Sequence, residues 1–309
     1  MSDNIIFMGT SKFAVPILEK INESQLNISV VYTQPPKKSN RGMKVQKTPI
    51  QIKSELLGLP IRTPSSLKNN IDEYNFIKKI KPTIVIVISY GQIIPKEFFE
   101  LSKNGFLNIH ASILPKFRGA APIQRAIMSQ DIETGISFMK INEHLDAGPV
   151  LKTYKIKIDL VSNATELEEK LSQLAALKIV ENIDSIISGK ANFKEQDHSK
   201  ATYAKKINKA EGQIFWNDSA KKIIGKINGL HPNPGAYFTF KGDRYKILKA
   251  EIGNRSGHPG EVLNDKLEIA CSKNESIKVI EIQKEGKKIQ EINEFLNGSK
   301  IHKGCTLNE

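Results

Sequence analysis

Residues 82–89, PTIVIVIS, decide how this chain of 309 residues is read. The run from Ile84 to Ile88 is continuously apolar and β-branched, with a proline before it and Tyr90-Gly91 after it. Such a run fits a strand covered on both faces, as in parallel sheets, better than a half-solvated strand, which would alternate polar and apolar residues. Working outward, NIIFMG (4–9) predicts a second buried strand that enters a turn at Gly9-Thr10-Ser11 and a helix across residues 12–21. ISVVYT (28–33) and GFLNI (105–109) predict two more strands, and helical stretches at 72–80 and 119–129 alternate with them. That alternation predicts an open, mostly parallel α/β sheet of Rossmann-like build. Gly9 is not followed by the full glycine pattern of a dinucleotide fingerprint, which argues against a nicotinamide dehydrogenase.

The pattern changes after Val150. ATELEEKLSQLAALKIVENIDSII (164–187) predicts one long packing helix with Leu167, Leu171, Leu174, Leu177 and Ile183 on its apolar face and Ser162 or Asn163 as its cap. The polar stretch from Lys190 reads as a connector. Beyond it YFTF, RYKILKA, GEVL, LEIAC and IKVIEIQ are short strand candidates separated by glycines, as in a small barrel or a sandwich. The expected division is a domain at 1–189, a connector at 190–208 and a β-rich domain at 209–309.

Forty-six Lys and Arg against 33 Asp and Glu give a formal charge of +13. Residues 1–189 hold 24 basic and 18 acidic residues, and the shorter 190–309 holds 22 and 15, so positive charge is denser toward the C-terminus. This balance suits a polyanionic partner. No apolar run reaches the roughly 20 residues that cross a bilayer, and no basic stretch precedes a hydrophobic core at the start, so a cytoplasmic protein without a membrane partner is expected. Cys271 and Cys305 are too few and too distant for a disulfide framework, and they form no metal-ligand cluster, so no metal is expected.

Chemistry concentrates in GFLNIHASILPKFRGAAPI (105–123). On an extended segment Asn108 and His110 share a face, and at the C-terminal end of a parallel strand that face looks onto the ligand crevice of such sheets. Asn both donates and accepts, and His exchanges a proton near neutral pH. Asp146, in the turn-rich stretch before Gly148-Pro149, is the carboxylate that could orient the imidazole; the alternatives are a strand-end hydrogen-bond network and a turn-forming aspartate. Lys116 and Arg118 either face a substrate or form a solvated loop. Lys37, Lys38, Arg41, Lys44 and Lys47 lie in PPKKSNRGMKVQK (35–47) without an intervening acid, a loop suited to phosphates.

In their order and positions, FMGTSKFAVPIL (7–18), VISYGQIIPKEFF (87–99), NIHASILPKFRGAAPIQ (108–124) and LDAGPVL (145–151) resemble the methionyl-tRNA formyltransferase family of folate-dependent formyltransferases. HPNPGAYFTF (231–240), GEVL (260–263) and GKKIQEINEFLNG (286–298) extend the resemblance over essentially the whole chain. It implies a Rossmann-like formyltransferase domain followed by a small OB-like β-barrel. The implied reaction moves the formyl group of 10-formyltetrahydrofolate to the free amine of methionyl initiator tRNA, with no obligate protein partner. Formyltransferases for small amines or nucleotide sugars share the Asn-x-His and Asp pattern and remain the alternative.

By resemblance Asn108 and His110 surround the formyl carbonyl and Asp146 supports His110. The implied folate pocket comprises Val87, Ile88, Ser89, Tyr90 and Gly91 on one segment, Ser112, Ile113, Leu114 and Pro115 on a second, and Lys140, Ile141, Asn142, Glu143 and His144 on a third. The resemblance assigns the basic loop, Arg41 above all, to the acceptor end of the tRNA, and Lys205, Lys206 and Lys209 are further candidate tRNA contacts. The sequence departs from the family at Ser11, where proline is usual, at Ala111, where glycine is common, at Ala147, where threonine is frequent, and in the residues before Arg41.

Overall fold

The computed structural model describes residues 3–39, 44–159 and 161–307. Its elements, in chain order, begin with β1 (Asn4–Gly9), α1 (Val15–Asn22), β2 (Asn27–Tyr32) and a hairpin of β3 (Lys37–Ser39) and β4 (Lys44–Gln46). They continue with α2 (Pro49–Leu56), β5 (Ile61–Arg62), α3 (Ile71–Ile80), β6 (Ile84–Ile88), β7 (Phe106–His110), β8 (Arg118–Gly119) and α4 (Pro122–Met128). Next come β9 (Glu133–Lys140), β10 (Val150–Lys157), α5 (Ala164–Ile187), β11 (Tyr203–Ala204) and α6 (Ala220–Gly229). The last are β12 (Ala236–Phe240), β13 (Asp243–Ile252), β14 (Glu268–Ala270), β15 (Ser276–Lys284), β16 (Gln290–Glu291) and α7 (Ile292–Leu296).

The chain divides into two compact units: 1–119 with 135–155 and 168–203, and 120–134 with 156–167 and 204–309. The first is built on a seven-stranded sheet in the order β10-β9-β7-β6-β1-β2-β5. β5, β2, β1, β6 and β7 are mutually parallel, whereas β9 runs antiparallel to β7. Every residue of β6 is buried, and the strand sits between β1 and β7 as its apolar run predicts. Tyr32, Val85, Tyr90, Phe98 and Phe106 pack into one core cluster beside it. There Glu73 accepts from Arg62 Nε at 2.7 Å and from the Tyr32 hydroxyl at 2.7 Å, so the buried carboxylate is paired twice.

The structure corrects several sequence expectations. β9 and β10 lie where the sequence pattern predicts no strand, because their residues alternate only weakly. The loop after Pro36 is a hairpin, with Lys37 opposite Gln46 and Ser39 opposite Lys44. On α5 the buried stripe is Leu167, Leu171, Ala175, Ile179 and Ile183, whereas Leu177 is 68% exposed. Its cap is Asn163: the Asn163 carboxamide accepts from Glu166 N at 3.1 Å and the Glu166 carboxylate accepts from Asn163 N at 3.2 Å.

The second unit carries a sheet in the order β12-β13-β15-β14, with β16 paired to β15. GEVL makes only isolated bridges, Glu261 to Thr306 and Val262 to Ile269. Trp216, Phe238, Tyr245 and Phe295 belong to its core. Gly229 of α6 lies so close to α4 that a Cβ there would stand 2.6 Å from Met128 Cγ. Among the described residues no helix is long and apolar enough to cross a membrane.

Glu268, 1% exposed, accepts from Ser276 Oγ at 2.7 Å, Asn254 N at 2.9 Å and Arg255 N at 3.0 Å. Burial pushes its pKa up, but these donors outweigh burial and hold it below the ordinary 4.5. A carboxylate whose pKa falls on folding stabilises the fold above its unfolded value, and that stabilisation is lost as pH falls through the folded value. Glu268→Gln, which sets an amide against these donors, should cost roughly 1–3 kcal/mol at neutral pH. Urea denaturation from pH 7 downward should show the gap to the parent protein narrowing below pH 4.5.

Candidate active site

Asn108 and His110 stand at the C-terminal end of β7, two residues apart on one face. Asn108 lies opposite Val87 on β6 and Met139 on β9, and His110 opposite Ser137. The Asn108 side chain is half-buried and has no protein hydrogen-bond partner among the described residues. His110 is buried; its Nε2 lies 2.8 Å from the Phe117 carbonyl and its Nδ1 3.6 Å from Asp146 Oδ2. A carbonyl can only accept, so the proton sits on Nε2, and Nδ1 faces the carboxylate.

Asp146 is fixed from several sides. Gly119 N donates to its Oδ2 at 2.8 Å, and Gln196 Nε2 donates to its carbonyl at 2.9 Å. Its φ of 46° lies in the left-handed region. That conformation costs an L-residue about 1–3 kcal/mol and persists where the surroundings impose it. Next to it, a Cβ on Gly148 would stand 1.9 Å from the Lys140 carbonyl oxygen. Only glycine permits that approach.

The three segments expected to hold a folate lie around this pair within the first unit. Val87 and Ile88 are buried at the end of β6, and Ser89, with φ of 47°, turns the chain outward. The Tyr90 ring belongs to the core, and its carbonyl accepts from Thr10 Oγ1 at 2.8 Å and Gln34 Nε2 at 3.1 Å; Gly91, with φ of 75°, accepts from the same Gln34 nitrogen at 2.9 Å. Ser112 is buried and donates to the Lys116 carbonyl at 2.6 Å, Ile113 accepts from Lys116 N at 3.0 Å, and Leu114–Pro115 is a cis peptide. Lys140 N donates to Pro149 O, Ile141 N donates to Phe106 O, and Asn142 Oδ1 accepts from His144 N at 3.0 Å. Glu143 faces Lys96 at 3.9 Å, and His144 is exposed.

The chemistry of this donor set fits a ligand with a carbonyl oxygen near Asn108, because that carboxamide still has donors to offer. Sequence reasoning missed four participants: Phe117 and Gly119, which act through their backbone, and Gln196 and Thr202, hidden in the connector. Arg118 is neither solvated nor exposed to a ligand; it is 4% exposed and donates to Gln196 Oε1. Among the described residues no group of three or more His, Cys, Asp or Glu could hold a metal ion.

The basic candidates fall in two places. Lys37 is exposed and donates to Gln34 Oε1 at 2.6 Å, and Lys47 pairs with Glu55 at 2.8 Å. Lys38 and Lys44 lie on the β3–β4 hairpin, and Arg41 lies outside the described residues. Lys205, Lys206 and Lys209 are exposed in the second unit. There Lys206 and Lys209 line a pocket of about 590 Å³ with Tyr237, Arg244, Lys246 and Glu285. The Arg244 guanidinium lies 4.1 Å over the Tyr237 ring.

Comparison with known proteins identifies the family. The Formyl transferase family matches residues 3–183, and the family of its C-terminal domain matches residues 206–300. A methionyl-tRNA formyltransferase from Pelagibacter ubique is 59% identical over 307 residues, which are 99% of each chain. The chain belongs to the methionyl-tRNA formyltransferase family. A relative of the same name from Thermodesulfovibrio yellowstonii is 42% identical over 308 residues, 98% of each chain. In structure the chain is similar to an N-formyltransferase from Helicobacter canadensis, with a TM-score of 0.68 at 19% identity, covering 92% of this chain and 100% of the other. At that identity the likeness concerns the Rossmann-like formyltransferase fold alone.

Replacing Gly148 with alanine should displace the Asp146 loop, costing roughly 1–3 kcal/mol through overpacking against a backbone oxygen. Thermal unfolding and formyl-transfer rate should both fall, whereas alanine at Gly298, where a Cβ meets nothing within 4 Å and the backbone is not left-handed, should leave the rate unchanged.

Proposed function

We propose that this chain transfers the formyl group of 10-formyltetrahydrofolate to the free amine of methionyl initiator tRNA, giving N-formylmethionyl-tRNA. The observation that carries the reading is the 59% identity, end to end, with a methionyl-tRNA formyltransferase. For the sugar and small-amine alternative, which shares the Asn-x-His and Asp pattern, the solved sugar formyltransferases add likeness of fold alone, at 19% identity.

When bound, the folate supplies the formyl group, and the polar trio of the first unit supplies the rest. Asn108 offers an uncommitted N–H donor where negative charge grows during acyl transfer, a contribution that is large when the donor is fixed in advance. His110 keeps one proton on Nε2 against Phe117 and exchanges a second at Nδ1, so it can accept the proton the attacking amine loses as the new C–N bond forms and return one to the folate nitrogen as the old C–N bond breaks. Asp146 keeps the ring in that orientation and stabilises its protonated form. Val87–Gly91, Ser112–Pro115 and Lys140–His144 form the walls for the folate.

We read residues 209–309, which lie within the second unit, as a small OB-like barrel domain that anchors the RNA, with a first domain at 1–189, a connector at 190–208 and a cytoplasmic setting. The barrel reading is supported by the β12-β13-β15-β14 order and the bridges at Glu261 and Val262. Lys206, Lys209, Arg244 and Lys246 concentrate positive charge in one pocket, a form suited to a phosphate backbone. In the first unit Lys37, Lys38, Arg41, Lys44 and Lys47 form the basic loop proposed for the acceptor end. The exposed Lys47–Glu55 pair is worth little and could be exchanged for a phosphate.

Purified protein with 10-formyltetrahydrofolate and methionyl initiator tRNA should yield formylmethionine after ester hydrolysis; product only with an amino-sugar acceptor would favour the alternative. His110→Ala should lower the rate about 10²–10⁴-fold while the folded state is kept, and an undiminished rate would remove His110 from the chemistry. Lys206→Ala combined with Arg244→Ala should raise KM for the tRNA, leave kcat nearly unchanged, and flatten the salt dependence by about one unit of slope for each phosphate no longer neutralised.

A further inference from the structure

Arg118 is a buried guanidinium with no carboxylate partner among the described residues. It is 4% exposed, and its Nε and Nη2 donate to Gln196 Oε1 at 3.1 and 2.7 Å, while Nη2 also meets His198 Nδ1 at 2.9 Å. A guanidinium has no lone pair to offer, so this His198 nitrogen is the acceptor. Burying such a charge among neutral groups is costly unless every donor is well placed. A carboxylate partner would be the ordinary solution.

The reason lies on the other side of Gln196. Its Nε2 donates to the Asp146 carbonyl at 2.9 Å and to the Gly148 carbonyl at 2.7 Å. All four bonding directions of the carboxamide are therefore used, two accepting and two donating. Rotating the amide by half a turn would set N–H groups against the guanidinium and an oxygen against two carbonyls. Arg118 thus fixes which way Gln196 faces, and Gln196 fixes the loop on which Asp146 holds its left-handed φ of 46°.

The same strap reaches His110. Arg118 N donates to the Thr202 carbonyl at 2.8 Å and Phe117 N to Thr202 Oγ1 at 2.8 Å, while the Phe117 carbonyl meets His110 Nε2 at 2.8 Å. Gly119 N closes the ring on Asp146 Oδ2 at 2.8 Å. Residues 117–119 therefore touch both members of the pair, and residues 196–202 hold Phe117 and Arg118 in place.

We propose that Gln196, oriented by the buried Arg118, is a positioning residue for formyl transfer, holding the Asp146 loop against His110. This rests on the reading of Asp146 and His110 as the catalytic pair. A neutral carboxamide suits the role because it grips the Asp146 backbone without competing for the Asp146 carboxylate. That carboxylate is left to His110 and the Gly119 amide.

Gln196→Glu separates holding the fold from holding the loop: the carboxylate still pairs with Arg118, but the two donors to the Asp146 and Gly148 carbonyls are gone. Single-turnover and steady-state formyl transfer on the full chain should show kcat down about 10–100-fold, the scale of a displacement near 1 Å, with KM for folate and for tRNA within about twofold of the parent. Gln196→Met, similar in volume and without any of the four bonds, should do the same and serves if Gln196→Glu folds poorly. In an Asp146→Asn background either substitution should have almost no further effect, because it acts through Asp146. An unchanged kcat, or the same loss with and without Asp146, would overturn the proposal. An Asp146→Asn enzyme as fast as the parent would instead sink the catalytic pair itself.

Discussion

The site depends on the change of strand direction at β7. This strand accepts β6 in parallel register on one side and β9 in antiparallel register on the other. Parallel pairing brings the C-terminal ends of β6 and β7 together, so Ile88–Gly91 and Asn108–His110 border one crevice. Antiparallel pairing then carries β9 away from His110, which faces Ser137 midway along it, and leaves Lys140 beside Leu107. Three residues of strand span about 10 Å. The loop after β9 has to travel back by that amount to set Asp146 against His110.

That return explains why so many interactions converge on residues 146–148. Gly148 permits the close approach to the Lys140 carbonyl, and Asp146 takes a conformation disfavoured for its side chain. Hydrogen bonds from the Gly119 backbone and the Gln196 amide supply the compensation. The Arg62–Glu73 and Arg118 charge systems of the first unit differ accordingly. Arg62 meets Glu73 directly through two nitrogens, and burial together with Glu73 pushes the Tyr32 hydroxyl far above its ordinary pKa, a static arrangement that secures the core. Arg118 meets neutral acceptors, and its charge orients a carboxamide that bonds the Asp146 backbone.

Sequence periodicity suffices for the strands buried on both faces and for the Asn-x-His placement at a strand end. It fails where the residues carry a mixed pattern: β9 and β10 close the sheet on its antiparallel side, and the β3–β4 hairpin follows two prolines that suggest irregular chain. Arg118 escapes a sequence reading because a basic residue in a loop is normally solvated, and the partner that buries it is 78 residues away. Asp146 can be picked out as a candidate by its turn-rich surroundings, but its approach to His110 depends on tertiary register. Nothing local in the connector distinguishes Gln196 or Thr202 from its other polar residues.

The fold by itself does not name the acceptor. A protein at 19% identity shares the backbone arrangement over 92% of this chain, so the sheet does not by itself choose between a small amine and an aminoacyl-tRNA. Choice must therefore lie in side chains outside the polar trio. The candidate phosphate contacts include the β3–β4 hairpin of the first unit and the pocket of the second, where Arg244 stacks on Tyr237 beside Lys206 and Lys246. A small acceptor needs only the crevice at β6 and β7. A tRNA presents a chain of phosphates long enough to engage separate basic surfaces, and the large positive charge is intelligible if its cost in self-repulsion is offset by such a partner.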